Sequence, residues 1–271
     1  MSVLAGVIGD PIGHSRSPRL HGHWLARYGI DGHYVPLRVP AADLDETLRL
    51  LPRLGFAGIN VTIPHKEAVF DRADEVTDRA RAVGAANTLV FRDGRIHADN
   101  TDGIGFLANL RQGAPNWQSD RPAMVLGAGG AARGIVDALL TAGVPGVTLA
   151  NRTTARADAL ADVFGDRTQV VPWTEVSDAL AGQGLLVNTT SLGMTGQPPL
   201  TLDLHALPEE AVVTDIVYTP LATPLLRAAA ARDNPVVDGL GMLLHQAVPG
   251  FAAWFGTTPE VDDDLRRAVL A

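Results

Sequence analysis

The chain has 271 residues, 46% of them hydrophobic and 19% charged, with a formal net charge of −8 and no cysteine. That length holds two ordinary domains, and the acidic balance argues against a nucleic-acid partner. Absence of cysteine excludes disulfides, thiol nucleophiles and thiolate metal sites, and no stretch approaches the apolar length of a membrane span.

The N-terminal ten residues carry no basic leader and already read as a buried strand, so a cytoplasmic protein without a signal peptide is expected. Residues 3–8 form that strand; Ser17 then reads as an N-cap, with Pro18 opening a helix to about Tyr28. A strand at 33–39 precedes a helix at 41–54, where leucines at 44, 48 and 51 keep helical spacing. Strand 56–62 leads to a helix begun by Pro64 and Lys66, and 88–98 reads as a hairpin turning at Asp93-Gly94. This alternation predicts βαβ units and a largely parallel sheet.

After Asp102 a helix at 105–110 runs into a polar stretch, 112–122, that reads as a linker. Strands at 123–126, 147–150, 168–171, 185–188 and 212–217 follow, with helices between them. The closing helix, 242–255, comes after a strand ending near Asp238 and is expected to pack on the first domain. The predicted organisation is α/β throughout: residues 1–102 with 241–271 as one domain, and 103–240 as a Rossmann-type domain.

Within the latter, Gly127-Ala128-Gly129-Gly130-Ala131-Ala132 joins a strand to a helix. Glycines let the backbone approach a pyrophosphate, and the helix that follows aims its free N–H groups and positive dipole end at that anion. The next strand ends not in an acid that would hold ribose hydroxyls but in Asn151-Arg152-Thr153, with Arg156 following. Forked guanidinium donors suit a 2′-phosphate, so NADP is expected rather than NAD; a surface helix start with incidental arginines is the plain alternative.

Of 22 basic residues 21 are arginine, and the exception is Lys66. A lysine can lose its proton in a protein and an arginine cannot, which marks Lys66 as an acid/base candidate, although composition alone leaves a chance surface lysine open. Asp102 is its candidate partner, with an N-cap role as the alternative. Of the eight histidines, those at 14, 21, 23 and 65 could suggest a metal, but His21 and His23, two apart on a helix, face differently, so no metal site is expected.

The segments His14-Ser-Arg-Ser-Pro18, Asn60-Val-Thr-Ile-Pro-His-Lys66, Gly84-Ala-Ala-Asn-Thr88, Asn100-Thr-Asp-Gly103, Asn151-Arg-Thr153, Asn188-Thr-Thr-Ser191, Asp215-Ile-Val-Tyr-Thr-Pro220 and Gly239-Leu-Gly-Met-Leu-Leu-His-Gln246 occur in this order. On them the chain resembles the shikimate dehydrogenase family over nearly its whole length. The resemblance implies a substrate-binding N-terminal domain and reversible NADPH-dependent reduction of 3-dehydroshikimate to shikimate, a step toward chorismate and the aromatic amino acids. It implies catalysis by Lys66 and Asp102, and a substrate carboxylate held by Ser15 and Ser17, for which helix capping is the alternative. It adds Thr62, Asn87, Tyr218 and Gln246 as further substrate ligands, Asn87 also reading as a turn residue. On the cofactor side it adds Ile216 and Gly239 to residues 127–131 and to Asn151, Arg152, Thr153 and Arg156, and it places Asp78 near the cofactor, where an ordinary charged helix face is the other reading. A monomer or homodimer is expected. The rivals are a quinate/shikimate dehydrogenase using NAD and a non-catalytic metabolite-sensing homologue.

Overall fold

The computed structural model describes residues 2–13 and 15–271; Met1 and His14 lie outside the described residues, and with them what was expected of His14. The chain divides into two compact units, Met1–Thr101 with Leu244–Ala271, and Asp102–Leu243.

In the first unit the strands are β1 (Val3–Gly9), β2 (Gly32–Arg38), β3 (Phe56–Val61), β4 (Glu75–Val76), β5 (Thr88–Arg92) and β6 (Arg95–Asp99), in the order β2-β1-β3-β5-β6-β4. β1 runs parallel to β2 and β3, and β4 parallel to β6, whereas β5 is antiparallel to both neighbours. The reversal follows from the two-residue turn between β5 and β6: Asp93 and Gly94 take φ of 54° and 71°, the left-handed pair that matches strand twist in a tight hairpin.

The helices between these strands are α1 (Ser17–Tyr28), α2 (Leu44–Leu50), α3 (Lys66–Asp71) and α4 (Asp78–Val83). Where one helix is expected over 41–54, α2 is flanked by single 3₁₀ turns at Ala41–Asp43 and Pro52–Leu54, and Pro52, with no N–H to extend the ladder, ends the α-helical run. Ser17 is the first residue of α1 rather than its cap. Its N–H donates to Ser15 Oγ at 3.3 Å, so the preceding serine supplies the acceptor and the Ser17 side chain turns inward. Ile8, Ile59, Val61, Leu89 and the α2 leucines Leu44 and Leu48 pack together beneath this sheet.

The second unit is wholly parallel: β7 (Ala123–Leu126), β8 (Val147–Ala150), β9 (Thr168–Val170), β10 (Leu185–Asn188), β11 (Val212–Asp215) and β12 (Val236–Val237), ordered β12-β11-β10-β7-β8-β9. Its helices are α5 (Asp102–Gly113), α6 (Gly130–Thr141), α7 (Thr154–Phe164), α8 (Val176–Ala179) and α9 (Pro224–Ala230). Winding goes outward from β7 to one side and from β10 to the other, the doubly wound order of a Rossmann sheet with its switch point between β7 and β10. Alternate side chains serve opposite faces: Ala123 and Val125 join one core with Ile135 and Leu139, while Met124 and Leu126 join another with Leu225 and Leu226.

The polar stretch 112–122, expected as an interdomain linker, is internal to this unit, which begins at Asp102. α5 packs on α6 so closely that a Cβ on Gly103 would stand 2.8 Å from the Gly134 carbonyl oxygen. At the other end Asn109 Nδ2 donates to Asp238 O at 2.7 Å, and Met242 lies in the core, so the unit runs on to Leu243. The strand expected over 212–217 stops at Asp215, whose own carboxylate takes the Val217 N–H at 3.0 Å.

The chain ends in α10 (Leu240–Phe255) and α11 (Asp263–Leu270). From Leu244 onward it is fastened to the first unit. Trp254 Nε1 donates to Leu89 O at 3.0 Å over Gly58, where a Cβ would lie 2.1 Å from both groups. Phe251 and Trp254 complete an aromatic cluster with Trp24, Tyr34 and His21. No described helix is long and apolar enough to cross a membrane.

His21 is wholly buried in that cluster, stacked on Tyr34 at 3.8 Å and 4°, and neither ring nitrogen reaches a hydrogen-bond partner. Burial lowers its pKa from 6.5 to about 3, the Asn60 side chain opposing the shift without bonding the ring. An orphaned buried donor costs about 1–3 kcal/mol, while an aromatic pair returns about 0.5–1.5 kcal/mol. The unfolded chain binds a proton near pH 6.5 that the folded chain refuses down to about pH 3, so stability falls as pH drops through that window, by at most about 1.4 kcal/mol per pH unit. Calorimetry from pH 7.5 to 4.5 should therefore show a falling Tm with a flatter acid limb in His21→Phe, and the variant should match or exceed the native Tm at pH 7.5. An equally steep acid limb in the variant would remove His21 as its source.

Candidate active site

The glycine turn after β7 is shaped by two kinds of need. Gly127 has φ of +111°, and a Cβ there would lie 2.4 Å from Thr189 Oγ1, which donates to Leu126 O at 2.7 Å. The protein itself thus demands glycine at 127. Gly129, the N-cap position of α6, and Gly130, its first residue, have only open space where a Cβ would stand. Nothing in the chain requires glycine at those two positions. They leave the N-terminus of a twelve-residue helix bare, with its unsatisfied N–H groups and positive dipole end accessible between half-buried Ala128 and Ala131.

At the end of β8, Asn151 Nδ2 donates to Thr153 O at 2.9 Å, closing a turn whose last residue, Thr153, is the N-cap of α7. Arg152 and Arg156 are exposed there, and among the described residues neither guanidinium forms a hydrogen bond or ion pair. An accessible helix N-terminus followed by two uncommitted guanidiniums offers the donors that a dinucleotide carrying an extra phosphate would need.

The carboxyl ends of β10 and β11 are tied by Asp215, a residue to which sequence reasoning gave no role. It is fully buried and accepts from Thr223 Oγ1 at 2.7 Å, Asn188 Nδ2 at 2.9 Å and the Val217 N–H at 3.0 Å. Burial pushes its carboxyl above the ordinary value, and these three donors pull it back. Its signal in the sequence was a lone acid closing an apolar strand. Ile216 and Gly239 are brought together directly, since a Cβ on Gly239 would lie 2.3 Å from Ile216 O. Tyr218, half-buried, follows on the same loop.

In the first unit, Thr62 directly follows β3, where its Cγ2 stands 2.6 Å from the position of a Gly9 Cβ. Half-buried Lys66 opens α3, and its carbonyl accepts the Ala86 N–H at 2.9 Å, joining that helix to the segment containing Asn87. Asn87 is buried, and its Oδ1 accepts the Thr101 N–H at 2.9 Å and the Thr88 hydroxyl at 3.0 Å. Its Nδ2 faces Gln246 Oε1 at 3.3 Å, and the Thr101 hydroxyl donates to Gln246 O at 2.8 Å. Asn60, Tyr34, Thr88 and Thr101 extend this network; the clue was a polar Asn60 inside an apolar strand. Ser15 and Ser17 lie at the start of α1. Asp78 occupies the exposed first position of α4 and bonds to none of these groups. Asp102, buried, begins α5 in the second unit, one peptide beyond Thr101.

Family models match the chain in three places: a shikimate dehydrogenase substrate-binding domain over residues 7–89, shikimate/quinate 5-dehydrogenase over 110–194, and a shikimate 5′-dehydrogenase C-terminal domain over 239–269. The shikimate dehydrogenase (NADP(+)) of Dinoroseobacter shibae is 63% identical over 270 residues, covering 99% of this chain and 97% of the relative. The chain belongs to the shikimate dehydrogenase family. Among solved structures, shikimate 5-dehydrogenase from Thermus thermophilus in complex with NADP(H) and shikimate superposes with a TM-score of 0.88 at 38% identity, covering 100% of this chain and 99% of that one. Quinate dehydrogenase from Corynebacterium glutamicum in complex with NAD gives a TM-score of 0.92 at 35% identity, covering 99% of each chain.

The two kinds of glycine in this family member separate by experiment. Gly130→Ala adds a methyl group to open space, so its Tm should stay within about 1 °C of the native protein while KM for the dinucleotide rises on the order of tenfold. Gly239→Ala forces the backbone of Ile216 to move, and thermal unfolding should register a loss of about 1–3 kcal/mol. A Gly130→Ala enzyme with native dinucleotide KM would show that no phosphate approaches α6 there.

Proposed function

We infer that this chain is an NADP-dependent shikimate dehydrogenase, interconverting 3-dehydroshikimate and shikimate on the way to chorismate. The observation that carries the choice of cofactor is the end of β8: two exposed guanidiniums with no partner among the described residues, and no carboxylate that would repel a 2′-phosphate. Bound there, NADPH supplies the hydride that reduces the ketone. Residues 127–131 hold the pyrophosphate, Asn151, Arg152, Thr153 and Arg156 the 2′-phosphate end, and Ile216 and Gly239 line the nicotinamide side; Asp78 is carried as a further cofactor contact on the resemblance alone.

Lys66 donates a proton to the developing alkoxide and takes it back in the reverse direction, with Asp102 as its partner. Ser15 Oγ already accepts the Ser17 N–H, so its own hydroxyl proton is directed to the substrate carboxylate, alongside Ser17. Thr62, Asn87, Tyr218 and Gln246 complete a neutral polar set suited to a hydroxylated acid. A cytoplasmic setting and a monomeric or homodimeric state belong to the same reading.

Steady-state kinetics with shikimate and quinate, each against NADP and NAD, test it directly. Shikimate with NADP should give the highest kcat/KM, and a preference for quinate with NAD would overturn the reading. Lys66→Ala should lower kcat by on the order of 10²–10⁴-fold while shikimate still binds. Replacing Arg152 and Arg156 together by alanine should raise KM for NADP by on the order of tenfold or more and leave KM for NAD unchanged, since the lost charge-assisted bonds serve only the extra phosphate.

A further inference from the structure

Five neutral side chains in the first unit form a hydrogen-bond chain whose direction is set by backbone groups at Asn60 and Asn87. Asn60 is buried, and both hydrogens of its Nδ2 are used, one on Asn87 O and one on Thr88 Oγ1, each at 3.2 Å. A carbonyl can only accept, so the Asn60 amide has one possible orientation, and its Oδ1 must face the Tyr34 hydroxyl, which donates to it at 2.7 Å. Further along, Asn87 Oδ1 accepts the Thr101 N–H, a group that can only donate. The Thr88 hydroxyl, which accepts from Asn60, then gives its proton to Asn87 Oδ1 at 3.0 Å, the nearer of two acceptors, Thr101 Oγ1 being at 3.4 Å. Asn87 Nδ2 is thereby turned toward Gln246 Oε1, and Gln246 in turn carries its Nε2 on the opposite side. Every donor points the same way, from Tyr34 through Asn60, Thr88 and Asn87 to Gln246.

We propose that Tyr34 is a positioning residue for substrate recognition: backbone groups set the direction of this chain, and the Tyr34 hydroxyl, by filling the Asn60 Oδ1 acceptor, holds it in place so that the Asn87 and Gln246 carboxamides meet the substrate as N–H donors, selecting ligand oxygens that accept. The inference rests on the reading of Asn87 and Gln246 as substrate ligands. Tyr34 is equipped for the task. It is buried, and its ring is clamped by His21 at 3.8 Å. Burial pushes its pKa well above 10, which keeps the proton on the donor at any working pH. Partners drawn from β2, β3, β5 and α10 hold the chain, and a flip of either amide would set two acceptors or two donors face to face.

Tyr34→Phe keeps the ring and the His21 stack and removes only the donor. Its KM for shikimate should rise about tenfold, the worth of one net hydrogen bond, with kcat changed less than about threefold and KM for NADP unaltered. Gln246→Ala tests the underlying reading and should by itself raise KM for shikimate. In that background Tyr34→Phe should add less than about a threefold further change, because residues acting through one network are not additive. If Gln246→Ala leaves KM for shikimate at its native value, the substrate reading fails, and the inference with it. If Gln246→Ala raises KM but Tyr34→Phe lowers only Tm, or multiplies fully in the double variant, Tyr34 is structural and the inference alone is overturned.

Discussion

A backbone N–H can only donate, so the 2.9 Å bond from Thr101 to Asn87 Oδ1 settles which end of the Asn87 carboxamide is which, and the first unit's polar interior follows from that choice. Thr88, Asn60 and Tyr34 are oriented backward from it, and Gln246 forward. All of these groups are neutral. Burying matched amides and hydroxyls avoids the several kcal/mol that a desolvated ion would cost, at the price of requiring every partner to be present. Four elements meet in one arrangement because any slip leaves an acceptor facing an acceptor.

The second unit solves its recognition problem with backbone instead. Its parallel strands are buried on both faces, so polar groups emerge only at strand ends, and there glycine does two separate things. At Gly127 and Gly239 it lets segments of the chain touch one another; at Gly129 and Gly130 it leaves space beside a helix terminus. The distinction matters for reading mutations. A methyl group at the first pair disturbs the protein, and at the second pair it meets only what binds there.

Much of this was legible in the sequence because the signals were local. The Asp93-Gly94 hairpin, the glycine turn and the buried parallel strands each follow from a spacing or a residue type acting over a few positions. The solitary lysine was visible to simple counting. Other features depended on choices that sequence leaves equal. Polar composition over 112–122 suits a linker and an internal surface connection alike, and only the packing of α5 on α6 decides between them. Either serine before Pro18 can cap α1; the structure gives the N–H to Ser15 and turns Ser17 inward. The Tyr34 chain was invisible because its links join strands and helices far apart in sequence, and no local period encodes which hydroxyl faces which amide.

Two motifs that had carried only resemblance acquire a physical reason from Asp215. Its carboxylate takes the Asn188 amide, which orients Asn188 Oδ1 toward the N–H and hydroxyl of Thr190. That fixes the turn after β10 and sets Thr189 Oγ1 against Leu126 O, the contact that excludes a side chain at Gly127. The same carboxylate caps the approach to α9 through Thr223 and ends β11 through Val217, leaving Ile216 against Gly239. Burial raises the carboxyl's pKa and three donors offset part of that rise, so the group is held where both loops can be tied to one point. The glycine turn after β7 therefore owes its shape to an acid on a different strand, which ties Asn188-Thr-Thr and Asp215-Ile-Val to a glycine motif they do not adjoin in sequence.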